Sequence, residues 1–140
     1  MIDIAKNNVR ILVVENWPFQ LMDTLSELGQ VGYFNTYPAL SSQEALTTLT
    51  APHAPYDTAL LSTSMEASEL TDLILKLSKG NLTRHFALIG NTQPTPQCLK
   101  TICAVNRADF SFLGILEKPL SATKLAKVLM IACLNKLERT

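Results

Sequence analysis

The sequence lacks the features that mark several large classes of protein. It has no run of basic residues and a formal net charge of zero, so we do not expect a nucleic-acid partner. The longest apolar run, residues 128–134, is too short to cross a bilayer. The first residues contain no apolar signal-peptide segment, so we expect a cytoplasmic protein without a membrane partner.

Cysteine is scarce, and the three cysteines cannot all pair with one another. Neither C-x-x-C nor a Cys/His ligand spacing occurs, so we interpret Cys98, Cys103 and Cys133 as reduced core thiols. The 140 residues, of which 47% are apolar, predict one domain with a sizeable core. We place this domain at residues 9–138, after a leader of residues 1–8.

The motifs of several enzyme classes are also missing. The chain contains no G-x-G-x-x-G, no phosphate-binding P-loop and no G-x-S-x-G. Its two histidines, His53 and His85, precede predicted strands and would lie at the amino end of a sheet. A serine at the opposite end would have no base within reach. We therefore expect no catalytic residue and no enzyme.

The sequence does contain a regular alternation of strand and helix patterns. Short apolar runs predict strands at residues 11–14, 32–37, 58–61, 86–89 and 112–116. Helices are predicted after them by cap residues at Asn16, Ser41, Thr95 and Ser121, and by apolar spacing such as that of Leu21, Met22, Leu25 and Leu28 before Gly29. Such alternation indicates a parallel sheet with helices on both faces.

Polar residues follow the predicted strands at the edge where open α/β sheets hold their functional sites. Glu15 and Asn16 follow the first strand, and Ser62, Thr63 and Ser64 follow the third. Lys118 follows the fifth strand. The hydroxyl cluster fits a strand-to-helix loop that satisfies its own backbone as well as it fits a site.

Three segments resemble response-regulator receiver domains across residues 9–137. They are ILVVENWPF, YDTALLS and GILEKPLSATKL, which resemble the first, third and fifth strands of that family. The resemblance implies an α/β fold, a doubly wound five-stranded parallel sheet of order 2-1-3-4-5, as in CheY-like and flavodoxin-like (βα)5 proteins. WPFQ and FLGILEKPLS also resemble receivers joined to EAL-type cyclic-di-GMP phosphodiesterases.

The resemblance implies a degenerate phosphorylation site. The positions concerned are Glu15 and Asn16 for the acidic pair, Ser62 for the phosphoacceptor aspartate, Gly90 and Ile115 for the switch residues, and Lys118 for the retained lysine. Serine cannot form an acyl phosphate, and one carboxylate is a poor ligand set for Mg²⁺. We therefore expect no cofactor, with Mg²⁺ bound weakly or not at all, as in a pseudo-receiver.

The expected function is a two-component signalling module that binds protein partners without aspartyl phosphorylation. The partners implied are an output domain, a histidine kinase or a second copy bound through the last helix, whether the protein acts alone or as part of a longer regulator. Two alternatives stay open. One is an active receiver with atypical phosphorelay chemistry, and the other is a small-molecule sensor that uses the vacated pocket.

Two contacts are also predicted. Glu15 and Lys118 should pair directly or through one water, from strand ends with the third strand between them. In the last helix, Leu125, Val128, Leu129 and Ala132 should face the sheet. A second apolar set lies nearly opposite and predicts a partner surface: Met130, Ile131, Leu134 and Leu137.

Overall fold

The computed structural model describes residues 6–49 and 55–139, without the side chains of residues 136–139. The strands are β1 Ile11–Val14, β2 Thr36–Ala39, β3 Tyr56–Ser62, β4 Thr83–Ile89 and β5 Ser111–Leu116. The helices are α1 Pro18–Gln30, α2 Ser42–Leu49, α3 Ala67–Lys79, α4 Pro96–Val105 and α5 Ala122–Arg139. Residues 1–5 of the leader, His53 and the side chain of Leu137 lie outside the described residues.

The strands form one parallel sheet of order β2-β1-β3-β4-β5, which confirms the predicted fold class. Every residue of β1 and β3 is buried, as expected for strands covered on both faces. Val14 lies opposite Leu61, which lies opposite Leu88, so the carboxyl ends of β1, β3 and β4 are level. This common edge is where the candidate site is found.

Helices cover both faces of the sheet, and each face has its own hydrophobic core. One core joins Leu12 and Leu61 to α2, α3 and α4. The other joins Val13 and Leu60 to α1 and α5. In α5 the predicted inward residues Leu125, Leu129 and Ala132 are buried, and Val128 is half-buried against the same core. None of the described helices combines the length and the hydropathy of a bilayer span.

Some predicted boundaries were wrong. Residues 32 and 33 close α1 instead of starting β2, because their N–H groups bond to the carbonyls of Gly29 and Leu28. Strand β4 begins at Thr83, so His85 lies inside the strand and does not precede it. Cys103 is exposed, whereas Cys98 and Cys133 are buried as predicted.

The helix caps were predicted correctly in three of four cases. Ser41, Thr95 and Ser121 accept the backbone N–H groups of Glu44, Cys98 and Lys124 at 3.1, 3.1 and 3.3 Å. Asn16 does not cap α1, whose cap position is Trp17. The Trp17 N–H instead donates to Glu15 Oε2 at 3.2 Å, which draws the start of α1 towards the buried carboxylate.

Candidate functional site

Glu15 and Lys118 form an ion pair at the carboxyl edge of the sheet. Lys118 Nζ lies 3.0 Å from Glu15 Oε1, and the Glu15 side chain is 1% exposed. This confirms the predicted direct pair. The spacing of the strands differs from the prediction, because β5 is an edge strand and both β3 and β4 lie between it and β1. The long lysine side chain therefore crosses over the ends of two strands.

The hydroxyl cluster continues from the other oxygen of the same carboxylate. Ser64 Oγ lies 2.9 Å from Glu15 Oε2, and Ser62 Oγ lies 2.7 Å from Ser64 Oγ. The Ser64 N–H also donates to Ser62 Oγ at 3.1 Å, so the loop satisfies part of its own backbone. Ser62 is buried and Ser64 is exposed. One continuous chain of hydrogen bonds thus runs from Lys118 through Glu15 and Ser64 to Ser62.

Asn16 contacts this chain from its exposed side. Its Oδ1 lies 2.8 Å from Ser64 Oγ. A hydroxyl carries a single proton, and a hydrogen bond to a charged carboxylate is stronger than one to a neutral amide. The Ser64 proton therefore goes to Glu15 in preference to Asn16.

Glu15 is held in its charged form by this arrangement. Burial acts to raise the pKa of its carboxyl group. The hydrogen bonds from Lys118, Ser64 and Ser62, together with the positive charge of Lys118, lower this pKa and prevail. The net result is a pKa below the ordinary value of 4.5, so the Glu15 carboxyl group is ionised at neutral pH.

Two further residues, Gln20 and Asn91, fix the position of Lys118. Lys118 Nζ donates to Gln20 Oε1 at 2.8 Å. The Lys118 N–H donates to Asn91 Oδ1 at 2.8 Å, and Asn91 Nδ2 donates to the Lys118 carbonyl at 3.0 Å. Neither residue was given a role on the basis of the sequence. Gln20 lies in the first turn of the helix that follows Glu15. This closeness to Glu15 in the sequence could have indicated that Gln20 belongs to the site.

The two positions that the resemblance assigns to switch residues, Gly90 and Ile115, differ in their surroundings. Gly90 has a φ of +133°, and a Cβ atom there would lie 2.2 Å from Thr63 Oγ1. The Thr63 side chain is buried and its hydroxyl has no hydrogen-bond partner. Ile115 is 40% exposed on β5. The space beside Gly90 is therefore filled from β3.

The donor set does not suit Mg²⁺. Mg²⁺ requires near-octahedral oxygen ligands and is commonly bound through carboxylates. Glu15 is the one carboxylate of the hydrogen-bonded chain, and its oxygens already accept from Lys118, Ser64 and the Trp17 N–H. Within residues 6–49 and 55–139, no three His, Cys, Asp or Glu side chains are grouped as a metal site. The Lys118 ammonium would also repel a cation bound to Glu15.

No family model matches the sequence, and no curated protein is similar to it. A receiver domain from Methanospirillum hungatei superposes with a TM-score of 0.71 at 18% identity, over 94% of this chain and 98% of that chain. A receiver domain from Clostridium thermocellum superposes with a TM-score of 0.70 at 19% identity, over 94% of this chain and 99% of that chain. The receiver domain of a modulated diguanylate cyclase from Desulfovibrio desulfuricans superposes with a TM-score of 0.68 at 21% identity, over 93% of this chain and 97% of that chain.

These likenesses establish the fold of the chain. It has the CheY-like receiver fold, with a parallel sheet of order 2-1-3-4-5 between two helical layers.

Proposed function

We propose that this receiver-fold domain is a signalling module that acts by binding proteins and does not use an aspartyl phosphate. The observation that carries the proposal is the chain of direct contacts from Lys118 through Glu15 and Ser64 to Ser62. The carboxylate is shared between an ammonium group and a hydroxyl group, and the end of β3 offers Ser62 in place of an acid.

The chemistry of Ser62 supports the proposal. An acyl phosphate forms on a carboxylate, whereas a serine hydroxyl is a weak nucleophile unless a base removes its proton. Ser62 Oγ contacts another hydroxyl, and its residue is 1% exposed. Glu15, the nearby acid, has a lowered pKa and is therefore a weak base. A phosphoryl donor would meet a buried hydroxyl without an effective base.

Labelling with acetyl phosphate and Mg²⁺ tests this directly. We expect the intact mass of the protein to be unchanged after incubation. The matched variant carries Ser62→Asp with Asn16→Asp, which returns two carboxylates to the edge, and we expect it to gain a hydroxylamine-sensitive phosphate. A Mg²⁺-dependent addition of one phosphate to the unaltered chain would support the alternative of an atypical but active receiver.

The outer side of α5 is the proposed partner surface. Ile131 and Leu134 are 45% and 51% exposed, and Met130 is half-buried. Exposed apolar side chains grouped on one helix mark interaction sites more often than scattered ones do. We expect Met130→Glu with Leu134→Lys to lower the mass measured by light scattering, or to abolish capture of a partner, without changing the circular dichroism spectrum.

The small-molecule alternative is favoured by one feature. A groove of about 410 Å³ lies beside Lys118, between α1 and the segment that joins β5 to α5. Its polar lining includes Gln20, Asp23, Glu27 and Asn91. A thermal-shift screen with nucleotides and cyclic dinucleotides would support sensing if one ligand raised the melting temperature and Lys118→Ala removed that effect.

A further inference from the structure

The outer faces of α1 and α5 carry opposite charges. Within α1, Asp23 and Glu27 are the charged residues, and there is no lysine or arginine. Within the described side chains of α5, Lys124 and Lys127 are the charged residues, and there is no acid. None of these four side chains belongs to an ion pair found among residues 6–49 and 55–139.

Each of the two faces also exposes large apolar side chains beside its charges. On α1, Phe19 is 84% exposed and Met22 is 65% exposed. Residues 19, 23 and 27 lie along one side of the helix by their i, i+4 spacing, and Met22 lies beside Phe19 on the side away from Glu27. On α5 the same spacing argument groups both lysines with the apolar partner surface. We call these the acidic α1 face and the basic α5 face.

The two faces are neighbours in the molecule. Both helices pack on the same face of the sheet, where Leu21 and Leu28 share a core with Leu125 and Leu129. The helices also contact each other. Their outer faces therefore form a continuous surface with an acidic half and a basic half, both containing exposed apolar residues.

We propose that this surface binds a second copy of the same chain, with the acidic α1 face of each copy against the basic α5 face of the other. A twofold axis places the same patch of both subunits in contact, so residue i meets residue j and residue j meets residue i. In such a dimer the acidic half of each copy contacts the basic half of the other, so the same attractive contact forms twice. A partner of one charge would satisfy only half of it.

The α5 face also has a depression that could accommodate Phe19, the aromatic residue of α1. A shallow depression of about 560 Å³ lies along α5. It is lined by Ala122, Thr123, Ala126, Lys127 and Met130. Small residues flanked by a lysine suit an aromatic ring such as that of Phe19, because the ring can cover the alanines while the ammonium group contacts its face.

The dimer identifies one occupant of the proposed α5 partner surface, and so rests on that part of the proposed function. It does not depend on whether the domain is phosphorylated. The labelling experiment and the experiment below can therefore fail independently. Loss of the dimer would leave the acetyl phosphate result unchanged.

Charge reversal on one helix at a time provides the test. The first variant carries Asp23→Lys with Glu27→Lys, and the second carries Lys124→Glu with Lys127→Glu. We expect each variant alone to have a dimer dissociation constant at least tenfold above that of the parent in sedimentation equilibrium. An equimolar mixture should return to dimers that contain one copy of each variant, because both contacts are then attractive. All four changes in one chain should also restore a homodimer.

Several outcomes would overturn the proposal. The proposal is wrong if the parent is monomeric at millimolar concentration. It is also wrong if the first variant dimerises as well as the parent, or if the mixture of the two variants stays monomeric. A dimer formed by α5 against α5 would be insensitive to the α1 changes. Asp72→Lys with Lys76→Glu, at an exposed pair on α3, is the control and should leave the dissociation constant unchanged. Urea unfolding of each variant shows that the fold is retained.

Discussion

At the scale of single residues, Lys118 is the side chain whose removal should have the largest effect on the site. Lys118→Ala leaves the carboxylate of Glu15, 1% exposed, without its cation. Removing one member of a buried pair is strongly destabilising, and since Lys118 is 20% exposed we expect a loss of about 2–4 kcal/mol in the free energy of unfolding. Urea denaturation measures this.

The matched control is Lys76→Ala, because Lys76 pairs with Asp72 at 2.9 Å but both side chains are more than half exposed. An exposed pair of this kind contributes about 0.5 kcal/mol or less. Equal losses for the two variants would show that the buried pair has no special role.

Glu15 should make the stability of the protein depend on acid pH. Its pKa in the folded state lies below the ordinary value of 4.5, so between these two values the unfolded chain binds more protons than the folded one. The contribution of Glu15 is therefore complete above pH 4.5 and is lost as the pH falls through the folded pKa. The difference in unfolding free energy between the parent and Glu15→Gln should shrink between pH 6 and pH 3. A constant difference would contradict this.

The sequence could predict the Glu15–Lys118 pair because both residues lie within two positions of the carboxyl end of a strand. It could not predict the contacts of Ser64 or Gln20, because these depend on how a loop and a helix turn back over the strand ends. The failure of Asn16 as a helix cap has the same origin. The buried carboxylate of Glu15 takes the Trp17 N–H at the start of α1, while Asn16 lies against Ser64.

At the scale of elements, the ends of β3 and β4 should be coupled through Thr63 and Gly90. An alanine at position 90 would need a φ of +133° and would place its Cβ atom 2.2 Å from Thr63 Oγ1. We expect Gly90→Ala to lower the unfolding free energy by about 2–4 kcal/mol. In a Thr63→Ala background the same change should be less harmful by about 1–2 kcal/mol, as a double-mutant cycle can measure.

The variant Gly114→Ala distinguishes backbone strain from the contact with Thr63 as the cause of that loss. Its φ is +118°, but no atom lies within 4 Å of the Cβ position. Gly114→Ala should therefore show the backbone strain alone, and Thr63→Ala should not alter it. A coupling as large at Gly114 as at Gly90 would mean that Thr63 does not act through contact.

The extent of the elements was predicted less well than their order. Apolar runs located β1, β3, β4 and β5, whereas the prediction of residues 32–37 overlaps β2 only at residues 36 and 37. Strands β3 and β4 extend beyond the predicted ranges through polar residues such as Asp57 and Thr83, which are buried in the sheet. Met22 fits the helical spacing of the core residues of α1 but is 65% exposed. Spacing alone does not fix which neighbouring residue of a helix faces the core.

At the scale of the whole molecule, the alternation of elements was sufficient to predict the parallel sheet, and the family resemblance supplied its strand order. The distribution of exposed apolar residues was not predicted beyond α5. Trp17 is exposed at the cap position of α1, Phe19 and Met22 are exposed within α1, Leu99 is exposed on α4 and Ile115 is exposed on β5. A sequence pattern identifies apolar residues, whereas their exposure depends on which elements lie over them.

Mg²⁺ should have little effect on the stability of the whole domain. A ligand that binds only the native state stabilises it by RT ln(1 + [L]/Kd), so 10 mM Mg²⁺ bound with a Kd of 10 mM or weaker adds at most about 0.4 kcal/mol. For a domain of this size that corresponds to a rise of less than about 2 °C in Tm. We expect no larger rise for the parent chain in calorimetry, because Lys118 and Ser64 hold the oxygens of Glu15. The variant with Ser62→Asp and Asn16→Asp should gain stability with Mg²⁺. A rise of 5 °C or more in the parent would show that the metal displaces Lys118, and the site would then have to be regarded as competent for Mg²⁺.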